Sequence, residues 1–129
     1  MDGIVSRKEI EFIVEDFDKA KLLLEALGYQ KLAAYEKYRA AYDLNDCHIM
    51  LDELPYGNFV EIEGADAQTI RAVSDRLNLN WNAIITTGYL DLFQNVRRAL
   101  NLSCADLTFA NFNSIRVAPE NLQVQPADK

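Results

Sequence analysis

The sequence predicts an α+β fold, an antiparallel sheet with helices on its outside. Apolar residues switch between a two-residue and a helical period along the chain, which marks alternating strands and helices. The strand-like segments in the middle are joined by turns too short for a parallel crossover, which needs a dozen residues or more. With 129 residues and 50% hydrophobic content, the chain can bury a core, and nothing in it reads as a second folding unit.

The first strand is expected over 8–15, where Ile10, Phe12 and Val14 share one face while Arg7, Glu9 and Glu11 share the other. Asp16 is placed to cap a helix over 17–27, with Phe17, Ala20, Leu24 and Leu27 on its stripe and Gly28 as its left-handed stop. Residues 30–44, with Tyr35, Tyr38 and Tyr42, predict a long strand. Asn45-Asp46 then turns the chain into a strand over 47–54, and Pro55-Tyr56-Gly57 turns it into another over 58–63. Asp66 caps a helix over 66–77 with Ile70, Val73 and Leu77 inward. A longer helix over 87–101 carries Tyr89, Leu92, Phe93, Val96 and Leu100 on its apolar stripe. Residues 114–129 contain two prolines and show no period, so they read as a loose tail behind a single domain over 1–113.

A net charge of −7 argues against a general nucleic-acid or anionic-membrane surface, because both need a basic field. Any anion site is therefore local. Cys47 and Cys104 lack metal-ligand spacing and give no disulfide framework, which fits a reducing compartment and unreactive packing roles. The first residues show neither a secretory signal nor a membrane span, so the expected location is cytoplasmic.

One face of the predicted meander collects acids and bases. Glu9, Glu11, Asp52, Glu61 and Glu63 stand with Arg7, Lys37 and Arg39. Glutamates two apart on a strand lie about 6.5–7 Å apart at the backbone, so their side chains can share a divalent ion. Oxygen-only ligands favour Mg²⁺ or Mn²⁺ over zinc, and such an ion is commonly completed by substrate phosphates while Lys and Arg neutralise the remaining oxygens. The plainer reading is a solvated face of cross-strand ion pairs, each worth a few tenths of a kcal/mol. His48 beside its turn reads as incidental, and the tyrosines read as strand formers.

The segments Arg7-Lys8-Glu9-Ile10-Glu11, Glu36-Lys37-Tyr38-Arg39, Leu51-Asp52-Glu53-Leu54 and Phe59-Val60-Glu61-Ile62-Glu63-Gly64 come in the order and spacing of a known domain. Over about residues 7–64 the chain resembles the later part of the CYTH domain. This is the superfamily of triphosphate tunnel metalloenzymes, which includes class IV adenylate cyclases, thiamine triphosphatases and inorganic triphosphatases. The C-terminal helical part also looks like bacterial members. The resemblance implies a closed antiparallel barrel, of which this sheet forms part, with a charged lumen that binds a triphosphate and a divalent metal. Carried over by position, Glu61 and Glu63 resemble the late metal-ligand pair and Glu9 and Glu11 the central acidic strand. Lys37 and Arg39 resemble the phosphate-binding pair, to which Arg7 is added; Asp52 is a ligand or orients one.

Family members begin with a strand carrying Glu-x-Glu-x-Lys. Here Glu9-Ile10-Glu11-Phe12-Ile13 comes nearest, but Ile13 stands where lysine is needed. The chain is therefore expected to lack the domain's first part; a truncated sequence, a complementary N-terminal segment or a homodimer completing the barrel would each account for it. Two readings follow. One is an enzyme, a metal-dependent triphosphatase or class IV-like adenylate cyclase acting on a nucleotide, thiamine triphosphate or inorganic triphosphate. The other is a non-catalytic half-barrel that serves as a phosphate-binding or interaction module.

Overall fold

The computed structural model describes residues 3–128. Its centre is a three-stranded antiparallel sheet in the order β1-β2-β3: β1 is Tyr38–Leu44, β2 Cys47–Leu54 and β3 Gly57–Glu63. Register is fixed by two tight turns. Leu44 pairs with Cys47 across Asn45 (φ 50°) and Asp46 (φ 61°), two residue types that tolerate the left-handed conformation a two-residue hairpin needs. Leu54 pairs with Gly57 across Pro55-Tyr56.

Five α-helices occur among the described residues: α1 (Phe17–Ala26), α2 (Ala67–Arg76), α3 (Tyr89–Leu100), α4 (Phe109–Phe112) and α5 (Pro119–Leu122). Asp16 and Asp66 cap α1 and α2 as expected, accepting from the backbone N–H of Lys19 and Thr69. The sheet is packed at opposite ends on opposite faces. Leu54 and Tyr56 join Leu92, Phe93 and Val96 of α3 in the main cluster, together with Leu107, Phe112 and Leu122. Cys47 and Ile49 meet Val73 of α2 in a smaller one. No helix among the described residues is long and apolar enough to cross a membrane.

The α+β class and the antiparallel meander are as the sequence predicts, with three differences. Residues 8–15 form no strand. Alternation makes a strand only where a neighbour supplies hydrogen bonds, and the sheet ends at β1 and β3 without taking this segment up. Ile13 is 95% exposed, and α1 behind it has no buried residue. The strand expected over 30–44 is confined to Tyr38–Leu44. Tyr38 pairs with Glu53, so residues further back would face the turn at Pro55, which has no N–H to donate. That segment bonds elsewhere: the Glu36 N–H donates to the Leu107 carbonyl at 3.0 Å, and the Leu107 N–H to the Ala34 carbonyl at 2.9 Å. The stretch from 114 onward, expected as loose, carries α5, whose Leu122 is 5% exposed within the main cluster. Further on, the Ala127 carbonyl accepts from the Asn80 N–H at 2.7 Å.

Candidate functional site

Strand pairing sets Arg39 directly opposite Asp52, and Ala41 opposite Met50, which in turn faces Glu61. Arg39, Asp52, Glu61 and Glu63 therefore share a face, and Lys37 enters the same face from just before β1. The Asp52 side chain is completely buried there. Its Oδ1 accepts from Arg39 Nε at 2.6 Å. Its Oδ2 accepts from Arg39 Nη2 at 2.6 Å, Lys37 Nζ at 3.0 Å and the Tyr89 hydroxyl at 2.8 Å. Arg39 Nη2 also reaches Glu61 Oε2 at 2.5 Å.

The electrostatics follow from this geometry. Burial alone raises a carboxyl, but hydrogen bonds from Arg39, Lys37 and Tyr89 outweigh it and hold Asp52 at about 2. Arg39 is driven above its usual value, chiefly by its bond to Asp52, and so stays charged throughout. Burial and the bond to Asp52 push the Tyr89 hydroxyl up, which keeps it a donor. Lys37 and Arg39 remain partly exposed, so both can reach a ligand while anchored to a buried carboxylate. Such an anchored Lys–Arg pair suits multidentate recognition of phosphate oxygens.

Not every predicted site residue joins them. Glu63 is on the same face but at the far end, opposite His48, whose Nδ1 lies 2.6 Å from Asp43 Oδ1. Arg7, Glu9 and Glu11 lie in the segment that pairs with none of the three strands, and are exposed. Among the described residues no three His, Cys, Asp or Glu side chains converge as a metal cage. The donor chemistry nevertheless fits a hard divalent cation: Glu61 and Glu63 supply two carboxylates, and such ions usually fill the rest of their shell with water and phosphate oxygens. Sequence reasoning missed Tyr89 as a site residue, treating it as part of an apolar helical stripe. The signal was its hydroxyl, since a tyrosine packed partly into a core at a helix start needs an acceptor.

The sequence model of the CYTH domain matches residues 1–78. Neither the curated proteins nor the solved structures compared with this chain gave a match. CYTH domains are tunnel domains that bind triphosphate substrates and generally use divalent metal ions, and a three-stranded antiparallel sheet with one charged face fits part of such a barrel. Three-fifths of its length lies within the matched segment, and so this chain belongs to the CYTH family.

Proposed function

We propose that this protein binds a triphosphate-bearing small molecule together with Mg²⁺ or Mn²⁺. The observation that carries the reading is the Lys37–Arg39 pair, held partly exposed by the buried Asp52 beside Glu61 on the charged face of a CYTH sheet. Lys37 and Arg39 take phosphate oxygens, and Glu61 and Glu63 hold the cation. Asp52, all of whose contacts are to donors, orients the two bases. A bound divalent cation supplies charge neutralisation and polarisation at the phosphoryl oxygens. Arg7, Glu9 and Glu11 join only if residues 8–15 dock beside the sheet. The open edges at β1 and β3 and the exposed apolar side chains of residues 10–32 support completion by a second copy or a complementary N-terminal segment.

In the completed domain the reaction is in-line attack at phosphorus, giving hydrolysis or, with a nucleotide's own hydroxyl as nucleophile, cyclisation. Nucleotides, thiamine triphosphate and inorganic triphosphate share the group that Lys37 and Arg39 address. The setting proposed is the cytoplasm. A second reading, a non-catalytic phosphate-binding or interaction module, is favoured by the separation of Glu9 and Glu11 from the sheet, which leaves the site open to water.

Calorimetric titration with tripolyphosphate, with and without Mn²⁺, tests the binding claim. Binding that tightens with Mn²⁺ is expected, and its absence in both conditions overturns the proposal. Phosphate release and cyclic-nucleotide formation, measured on the same protein, separate the enzyme from the module.

A further inference from the structure

We infer that Tyr89 is a positioning residue of the triphosphate site, so that the C-terminal segment, beyond the part matched to the CYTH domain, helps to build that site. The inference rests on the triphosphate reading above and assigns a role inside it.

Tyr89 touches both halves of the Lys37–Asp52 pair. Its hydroxyl donates to Asp52 Oδ2 at 2.8 Å, the oxygen that also accepts from Lys37 Nζ at 3.0 Å. Its ring lies under the same ammonium, 5.2 Å from nitrogen to centroid, within cation–π range. Lys37 is thereby held between a carboxylate and an aromatic face contributed by different elements. A lysine has four rotatable side-chain bonds, and fixing them before the ligand arrives lowers the ordering cost of binding.

Tyr89 is itself held firmly enough to do this. It is the first residue of α3, and its carbonyl accepts from the buried Tyr56 hydroxyl at 2.8 Å. The Phe59 ring of β3 packs against it edge-on at 5.3 Å between centroids, and the Tyr35 ring lies at 6.2 Å. Packing alone does not account for the hydroxyl. Arg39 and Lys37 already supply donors to both Asp52 oxygens, and a phenylalanine would fill the same space. The hydroxyl adds a further donor at the atom where Lys37 is anchored.

The test is a double-mutant cycle on Tyr89→Phe and Lys37→Ala, read by calorimetry with tripolyphosphate and Mn²⁺ on the full chain. Tyr89→Phe is expected to weaken binding roughly fivefold to tenfold, less than the full worth of a hydrogen bond to a charged group, because the effect reaches the ligand only through Lys37. In the Lys37→Ala background the same change should cost less than about twofold, because the lysine it positions is gone. Val73→Ala, in the smaller cluster on the other face of the sheet, serves as a packing control, expected to lower the Tm while leaving affinity within about twofold. Equal losses from Tyr89→Phe in both backgrounds, or unchanged affinity while the wild type binds, overturn the inference and leave the triphosphate reading standing. A wild type that binds no tripolyphosphate overturns both. If Tyr89→Phe folds poorly, NMR of the unmutated protein decides. The Lys37 side-chain signals should carry a ring-current shift and move on addition of tripolyphosphate, and static, unshifted signals would defeat the inference.

Discussion

Replacing Asp52 with Asn is the sharpest perturbation of the charge cluster, because it keeps the shape and removes the charge from a side chain with no solvent exposure. Burial acts to raise this carboxyl, but donors from Arg39, Lys37 and Tyr89 lower it to about 2, against 3.8 for the ordinary group. At about 1.36 kcal/mol for each tenfold change in proton affinity, that difference is worth about 2 kcal/mol of folding free energy at neutral pH. The cost of leaving Lys37 and Arg39 without their acceptor adds to it. Both can turn partly to water, so the total stays near the low end for a broken buried pair, about 2–3 kcal/mol. The sign with pH is fixed. The folded value lies below the unfolded one, so the Asp52 contribution is complete above pH 3.8 and is lost as pH falls through 2. Urea unfolding of wild type and Asp52→Asn at several pH values should show a gap of about 2–3 kcal/mol at pH 7, narrowing steadily below pH 4. A gap under about 0.5 kcal/mol at pH 7, or one that widens in acid, would refute the reasoning.

Glu63→Gln removes a ligand charge at nearly constant volume, so Mn²⁺-dependent tripolyphosphate binding should fall in calorimetry while the unfolding curve stays in place. Lys37→Ala should weaken tripolyphosphate binding with or without Mn²⁺, since a phosphate contact is lost rather than a ligand; unchanged affinity would return these charges to the role of a solvated face. Leu122→Ala should cost about 2–4 kcal/mol in urea unfolding, because its side chain is buried in the main cluster, and a cost below about 0.5 kcal/mol would show the end of the chain to be unimportant for stability. Light scattering at micromolar concentration should find an assembly larger than one chain, with the open sheet edges and exposed apolar side chains as the cause; a monodisperse monomer would count against it.

Elements governed by local chemistry were legible in the sequence. The turn at Asn45-Asp46, the caps at Asp16 and Asp66 and the apolar stripe of α3 each placed an element to within two residues, because each depends on neighbours along the chain. What failed depended on distant partners. Residues 8–15 alternate as a strand should, yet alternation says nothing about whether an edge is available to pair with. Residues 34–36 found their hydrogen bonds at Leu107, which no spacing rule points to. In the site, alternation brought Lys37, Arg39, Asp52 and Glu61 to one face. It could not show that Asp52 is buried or that Tyr89 closes over it, since both come from the docking of α3 on the sheet.

The buried Asp52 also acts as a check on how the strands align during folding. If β2 slipped by one residue against β1, Leu51 would face Arg39, and the Asp52 carboxylate would turn toward the apolar face that carries Tyr42 and Val60. The misaligned hairpin would lose its bidentate arginine bond and set the apolar Leu51 among the charges of Arg39 and Lys37, while the carboxylate moved to a largely exposed face with no basic partner. One aspartate thus rejects wrong alignments while the sheet forms and holds the bases in place once it has formed.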